Sequence, residues 1–185
     1  MKLYLIVAAC EGMGIGLNGG LPWRLKEEVK YFARMTKATQ DPQKMNAVIM
    51  GRKTWESIPE KFRPLKERFN VVLSRQNHLV LSDPNTLVCS SLSDALSKLK
   101  AKGDELETFW LIGGHALYLE AMEKQLVDRI YLTDIQCKFD CDTFFPAINA
   151  DEYESITDET VPDTPQREGD VAYVYKVLQR RRSEL

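Results

Sequence analysis

The stretch FWLIGGHALY, residues 109–118, contains an apolar run, a pair of glycines and then a helical pattern. An apolar run rich in β-forming side chains is typical of a strand buried inside a sheet. Gly113 and Gly114 allow a sharp turn and a close approach to a ligand. A helix that begins after such a turn offers free N–H groups to a phosphate. The alternative is a tight connection without a ligand, because the full G-x-G-x-x-G spacing is absent.

Further apolar runs alternate with helical patterns along the rest of the chain. The runs that predict strands are 3–10, 47–50, 70–74, 109–112, 129–135 and 171–178. The helical patterns are 25–35, 92–99, with Ser91 or Ser93 as N-cap, and 116–126, while the Pro-containing segments 59–64, 83–85 and 162–165 predict loops. The alternation predicts a single α/β domain over 1–185, with a mainly parallel, twisted central sheet and helices on both faces. The last run has no helix before it, which predicts an antiparallel C-terminal edge strand.

Composition limits the classes of partner. Of the 185 residues, 44% are hydrophobic and 28% charged, with a net charge of −2. This balance argues against bulk binding to nucleic acid or to an anionic membrane, so local basic residues must meet any anionic ligand. No apolar run is long enough to span a bilayer. Four scattered cysteines predict reduced thiols in the cytoplasm and no metal site.

The first helical pattern carries an acid on its apolar face. Leu25, Val29, Phe32 and Met35 recur at helical spacing, and Glu28 lies within their sector. A carboxylate on a buried face is costly unless a partner compensates it. Two interpretations follow: a half-exposed acid at the rim of the helix, or a functional acid whose partner is a ligand.

Two other strand ends carry residues suited to phosphate. MGRKTW, residues 50–55, follows one strand and LSR, residues 73–75, ends another. Ligands of α/β sheets bind at the carboxyl ends of strands. Basic residues at two ends indicate an extra phosphate, as on the adenosine ribose of NADPH. His115 is expected to line the phosphate turn or face solvent, and His78 has no assigned role.

Together, the order and spacing of these motifs resemble the dihydrofolate reductase family, and its animal members more than the shorter bacterial ones. The motifs are VAA at 7–9, MGIG at 13–16, LPW at 21–23, Glu28 with Phe32, GRKTWxSIP at 51–59, RPLxxR at 63–68, LSR at 73–75, IGG at 112–114, Thr133 and DTFFP at 142–146. The resemblance implies NADPH-dependent reduction of 7,8-dihydrofolate to 5,6,7,8-tetrahydrofolate, by hydride transfer to pterin C6 and protonation at N5.

The resemblance also implies a substrate site. Glu28 and Trp23 would be catalytic, with Glu28 accepting hydrogen bonds from the pterin and Trp23 holding an ordered water. Arg68 would pair with the α-carboxylate of the folate tail, and Thr133 would anchor Glu28. The implied substrate-binding residues are Ile6, Val7, Ala8, Glu28, Val29, Phe32, Ser57, Ile58, Leu65, Arg68, Ile112, Tyr118 and Thr133, with Leu5 as a further apolar wall.

The cofactor site follows from the same resemblance. Residues 13–20 would form a mobile lid, with Ala8 and Ile15 meeting the nicotinamide through their backbones. The implied cofactor-binding residues are Ala8, Ile15, Gly16, Gly19, Gly20, Leu21, Gly51, Arg52, Lys53, Thr54, Leu73, Ser74, Arg75, Ile112, Gly113, Gly114, His115, Ala116, Leu117 and Tyr118. A monomer is expected, binding dihydrofolate or antifolates, without a membrane, nucleic acid or obligate protein partner.

Departures from the family pattern leave some points open. Val29 stands where many members carry a larger apolar residue. Cys89-Ser90-Ser91 stands where some place an arginine near the adenosine, so Arg52, Ser74 and Arg75 would carry the preference for NADPH over NADH. Two other functions compete: the pyrimidine reductase of riboflavin synthesis, and a silent nucleotide-binding protein. Glu28 with Arg68 argues against the first, and the intact acid, lid and Arg68 argue against the second.

Overall fold

The computed structural model describes residues 1–76 and 79–183, so His78 lies outside the described residues. The strands are β1 (Lys2–Ala9), β2 (Gly14–Gly16), β3 (Met45–Gly51), β4 (Arg68–Leu73), β5 (Thr86–Cys89), β6 (Leu106–Gly113), β7 (Arg129–Ile135), β8 (Thr143–Phe144), β9 (Tyr153–Ile156), β10 (Gln166–Glu168) and β11 (Val171–Arg180). The helices are α1 (Lys26–Lys37), α2 (Arg52–Ser57), α3 (Leu92–Ala101) and α4 (His115–Glu123).

One large sheet organises the chain. Within the described residues it has nine strands in the order β10-β11-β7-β1-β6-β3-β4-β5, with β9 also paired to β11. The strands from β7 to β5 in this order pair in parallel. Strand β11 runs antiparallel to β7, and β9 and β10 run antiparallel to β11. The predicted α/β class, with an antiparallel C-terminal part, is confirmed. Strand β11 is not itself the edge, however, because β9 and β10 pair with its outer side.

Helices cover both faces of the sheet, as expected. Helices α3 and α4 pack in one apolar cluster with the odd-numbered side chains of β1, while α1 and α2 pack in the other with Ile6. Successive side chains of a strand point to opposite faces. Leu5 and Val7 therefore point away from α1, which corrects the prediction that their side chains wall a site beside Glu28.

The buried stripe of α1 is rotated relative to the predicted one. Its buried residues are Glu28, Tyr31, Met35 and Thr36. Val29 is 59% exposed, so the expectation that it lies on the buried face is wrong. Tyr31 takes the central place because its ring stacks on Tyr175 of β11 at a centroid distance of 3.9 Å. Burial of this aromatic ring against the sheet thus fixed which face of α1 is buried, which the hydrophobic periodicity alone did not determine.

Other boundaries differ modestly from the predictions. Ser91 is the N-cap of α3, where its side chain accepts a hydrogen bond from the Asp94 N–H at 3.0 Å. Helix α4 ends three residues before the predicted limit, at Glu123. No helix in the described ranges is both long and apolar enough to cross a bilayer. The four cysteines are free thiols.

Candidate active site

Glu28 lies on the third position of α1 and is only 8% exposed. Thr133, fully buried on β7, donates a hydrogen bond to Glu28 Oε1 at 3.0 Å. Burial raises the pKa of the Glu28 carboxyl, and the Thr133 hydrogen bond opposes this only partly. Within the described part of the chain no cation forms an ion pair with Glu28. The acid is therefore oriented by the protein but not neutralised by it.

Trp23 contributes a second buried polar group near the start of α1. The residue is 7% exposed and packs in one cluster with Leu25 and Tyr173. Its Nε1 donor has no hydrogen-bond partner among the residues that the structure describes. A buried N–H without a partner is costly, so this atom is suited to donate to a water or a ligand.

Arg68 begins β4 and is 6% exposed. Its Nη1 donates to Thr36 Oγ1 at 3.0 Å, and its Nε donates to the Lys66 carbonyl at 2.9 Å. The adjacent acid Glu67 pairs instead with Lys37 at 3.1 Å. Burial lowers the pKa of Arg68, yet a guanidinium remains charged at neutral pH. Remaining N–H groups of a fixed, buried cation are thus available for a carboxylate.

Helix α1 connects the acid to the guanidinium. Glu28 lies near its N-terminus, and Thr36, which supports Arg68, lies in its last turn. Eight residues of helix span about 12 Å. The predicted wall residues Phe32, Ile58, Leu65 and Ile112 are partly buried against the apolar cluster on this same face of the sheet. Ser57 is exposed and donates to the Thr54 carbonyl at 2.6 Å.

The three predicted phosphate-binding strand ends meet at one edge of the sheet. Gly51 lies opposite Leu73, and Met50 lies opposite Gly113. The peptide between Gly113 and Gly114 is cis, and Gly113 has a φ of 127°. A Cβ at Gly113 would make only ordinary contacts, the nearest with the Tyr118 hydroxyl at 3.4 Å, so it is the positive φ that favours glycine here.

The first turn of α4 faces this edge. Its first intrahelical hydrogen bond joins Tyr118 N to the Gly114 carbonyl at 3.0 Å, which leaves the preceding N–H groups of His115, Ala116 and Leu117 for another acceptor. The side chains of Leu117 and Tyr118 are buried, and the Tyr118 hydroxyl donates to the Ile6 carbonyl at 2.8 Å. His115 Nδ1 lies 2.6 Å from the carbonyl of Phe144. These side chains hold the turn in place, and its first backbone N–H groups remain available to a ligand.

Cationic side chains surround the same edge. Arg52 pairs with Glu56 at 2.8 Å, whereas Lys53 and Arg75 are exposed. Ser74 is largely buried, and its Oγ accepts from the Gln76 N–H at 3.1 Å. Exposed cations near backbone donors suit a ligand with several phosphates.

The predicted lid, residues 13–20, is hydrogen-bonded along its length. Strand β2 pairs with β8, and Leu17 and Gly20 exchange backbone hydrogen bonds at 3.0 Å. The Asp142 carboxylate accepts from the Asn18 N–H at 3.0 Å. Ile15 packs against the core, whereas Leu21 is exposed. Ala8 lies opposite Thr133 in the sheet register. The end of β1 that leads into the lid is therefore next to the residue that binds Glu28.

Two residues next to the site were missed from the sequence. Thr36 supports Arg68, and Glu168 of β10 accepts hydrogen bonds from the first N–H groups of α1. Leucine at position 25 cannot cap the helix through its side chain. This could have indicated that a distant acceptor, here Glu168, binds the first N–H groups of α1.

Known proteins are similar to this chain in sequence and in fold. The family model described as dihydrofolate reductase matches residues 2–180. Dihydrofolate reductase of Heliothis virescens is 44% identical over 182 residues, covering 97% of this chain and 98% of that protein. The Gallus gallus protein of the same name is 45% identical over 186 residues, covering 97% and 96%. The solved structure of Schistosoma mansoni dihydrofolate reductase matches with a TM-score of 0.84 at 36% identity, covering 97% of this chain and 98% of that one. The predicted resemblance is confirmed, and this chain belongs to the dihydrofolate reductase family.

Proposed function

We propose that this chain, as one domain over 1–185, reduces 7,8-dihydrofolate to 5,6,7,8-tetrahydrofolate with NADPH. The single observation that carries the proposal is Glu28, a buried acid that Thr133 orients and no cation of the described chain neutralises. A pterin offers a 2-amino group and a ring N–H on one edge, which match the two oxygens of a carboxylate. The substrate would thus supply the hydrogen bonds that compensate the buried charge of Glu28.

Arg68 supports the identity of the other end of the substrate. Its guanidinium is buried and held by Thr36 and Lys66, and Glu67 is engaged by Lys37. A planar fork of N–H donors fits a carboxylate, such as the α-carboxylate of the folate tail. Apolar side chains from α1, Ile58, Leu65 and Ile112 would enclose the part between the two charges.

The residues at the three strand ends fit a dinucleotide phosphate. Donors are provided by the backbone N–H groups of α4, by the backbone at Gly51 and Gly113, and by the exposed cations Lys53 and Arg75. Among the described residues, the carboxylate that competes for one of the nearby cations is Glu56, which pairs with Arg52. When bound, NADPH supplies the hydride that the pterin accepts at C6. The lid at 13–20 would exclude water from that step.

Protonation of pterin N5 is the proton step that the chain must assist. Glu28 would hold the pyrimidine edge of the pterin, which is remote from N5, so we assign the delivery of this proton to a water. The buried Nε1 of Trp23, which has no partner in the described chain, is a suitable donor to hold that water. The negative charge of Glu28 would orient the ring and make N5 more basic.

Preference for NADPH over NADH would rest on Arg52, Ser74 and Arg75. Ser90 and Ser91 are engaged at the start of α3, where both bond to Asp94. Because serine side chains are uncharged, they contribute no cation to a 2′-phosphate. We also propose that the protein works as a monomer in the cytoplasm.

A direct assay tests this function. Purified protein is mixed with NADPH and 7,8-dihydrofolate, and loss of the NADPH absorbance band is followed together with formation of tetrahydrofolate. Turnover that requires dihydrofolate supports the proposal. Turnover only with the aminopyrimidine intermediate of riboflavin synthesis would instead favour the pyrimidine reductase, and NADPH binding without turnover of either substrate would favour a silent nucleotide-binding protein.

A further inference from the structure

Helix α1 receives its N-terminal cap from a distant strand. Its own N-cap residue is Leu25, whose side chain makes no capping hydrogen bond. Glu168 Oε2 accepts from the Lys26 N–H at 2.7 Å, and Glu168 Oε1 accepts from the Glu27 N–H at 2.6 Å. A carboxylate at a helix N-terminus satisfies orphan donors and interacts favourably with the helix dipole. The acid that caps α1 lies 142 residues after Lys26.

Glu168 is itself held in place. The Tyr173 hydroxyl donates to Glu168 Oε1 at 3.0 Å, and Tyr173 is 1% exposed. Glu168 lies opposite Val171 in the pairing of β10 with β11. Partial desolvation raises the pKa of Glu168, but hydrogen bonds from Glu27, Lys26 and Tyr173 outweigh it, so the net pKa is lowered and the cap is charged at neutral pH.

We propose that Glu168 is a positioning residue for Glu28, a role that rests on the proposed function of Glu28 as the pterin-binding acid. Glu28 directly follows the two residues whose N–H groups Glu168 binds. With Thr133 orienting the side chain, the carboxyl of Glu28 is located from two sides: its backbone by Glu168 and its Oε1 by Thr133. Such support of a functional side chain narrows its geometry before ligand arrives.

The same acid also contributes to the electrostatic environment of Glu28. Burial is the largest effect and raises the pKa of Glu28, the Thr133 hydrogen bond lowers it, and the charge of Glu168, the smallest of the three effects, raises it. The other titratable groups that act with Glu28 are the phenols of Tyr31, Tyr118 and Tyr175, whose pKa values burial raises, so they are neutral. On α1 itself the nearby charged side chains Lys26, Glu27 and Lys30 are exposed. Glu168 thus anchors the helix and also favours the protonated form of Glu28.

The test begins with the protein alone, without substrate or cofactor. Glu28 is titrated by NMR of carboxyl-labelled glutamate in the wild type, Glu168→Gln and Glu154→Gln. Glu154 is a matched control because its carboxylate on β9 pairs with Arg181. Removing the charge of Glu168 should lower the pKa of Glu28, because a neighbouring negative charge disfavours the ionised carboxylate, and the control should leave it unchanged. An unchanged Glu28 titration in Glu168→Gln overturns the proposal.

A second measurement separates the cap from the charge. Glu168→Ala removes both acceptors, whereas Glu168→Gln retains a carbonyl acceptor. Loss of a helix cap should raise the KM for dihydrofolate about fivefold in the Ala variant, with less change in the Gln variant and an unchanged dissociation constant for NADPH. An unchanged KM in Glu168→Ala, or equal weakening of both ligands, contradicts positioning. If the Ala variant does not fold, the KM for dihydrofolate in Glu168→Gln, which loses one of the two acceptors, is compared with that in Glu154→Gln, and equal values contradict positioning. Absence of turnover in the wild type would refute the proposed function and leave the Glu28 titration readable.

Discussion

Two regions of the candidate site are built on opposite principles. We call them the acid end, which is Glu28 with Thr133, and the strand-end edge, where β3, β4 and β6 end. At the acid end, one buried carboxylate is oriented by Thr133 and supported by a cap on its helix. At the edge, Gly51 and Gly113 bring backbones together, and the exposed cations Lys53 and Arg75 lie around them. In the proposed function, the first arrangement concentrates substrate recognition in one side chain, and the second distributes cofactor binding over many groups. Single substitutions should therefore be severe in the first region and mild in the second.

The largest effect is expected for Glu28→Gln. Loss of the charge that pairs with the pterin should lower kcat/KM for dihydrofolate at neutral pH by about 10³-fold. The dissociation constant for NADPH, measured by fluorescence titration, should be unchanged. Glu27→Gln is the matched control, since Glu27 is exposed and pairs with Lys30. Wild-type turnover in Glu28→Gln would show that the function of the acid end is not concentrated in this residue.

Arg68→Gln should follow in size. Removing one partner of a buried charge pair costs about 2–4 kcal/mol, so the KM for dihydrofolate should rise by about 100-fold. The NADPH dissociation constant should change little, because Arg68 is supported by α1 and not by the strand-end edge. Lys66→Gln serves as control, since only its backbone carbonyl contacts Arg68. Equal losses for both ligands would break the division between the two regions.

The strand-end edge should respond weakly to single changes. Arg75→Gln and Arg52→Gln should each reduce the preference for NADPH over NADH by about tenfold, since each removes one charge-assisted contact to the extra phosphate. The ratio of kcat/KM values for the two cofactors measures this, with the KM for dihydrofolate as internal reference. Arg24→Gln, an exposed charge change outside this edge, should leave the ratio intact. A thousandfold loss from one arginine would contradict a distributed site.

The smallest effect concerns stability. The pKa of Glu28 is raised in the folded state by burial, so the native protein binds a proton more tightly than the unfolded chain. Its contribution to the free energy of unfolding is therefore lost as pH rises from the ordinary carboxyl pKa through the raised value. At pH 7 Glu28→Gln should be more stable than wild type, because it carries no buried charge, and the gain should vanish near pH 4, where the carboxyl is protonated in both states. Urea unfolding at both pH values measures this, and a gain that is independent of pH would contradict the assignment.

Local sequence patterns were sufficient to predict most of the longer strands and helices and many of the candidate site residues. Apolar runs were sufficient for the six longer strands, and Gly113-Gly114 marked the turn at the strand-end edge. The short strands β2, β5, β8, β9 and β10 escaped prediction because two to four residues carry little periodic signal. The rotation of α1 also escaped it, since Tyr31 is buried by its stacking on Tyr175, which belongs to a strand far away in sequence.

By itself, the sequence determined the α/β class, the family and the order of the motifs, because hydrophobic periodicity and turn residues are local properties of the chain. Only the tertiary structure decided which polar groups meet. It put Thr133 against Glu28, Thr36 against Arg68, and Glu168 at the start of α1. Those contacts join residues 32 to 142 positions apart, and sequence spacing carries no record of which distant strands a sheet brings together.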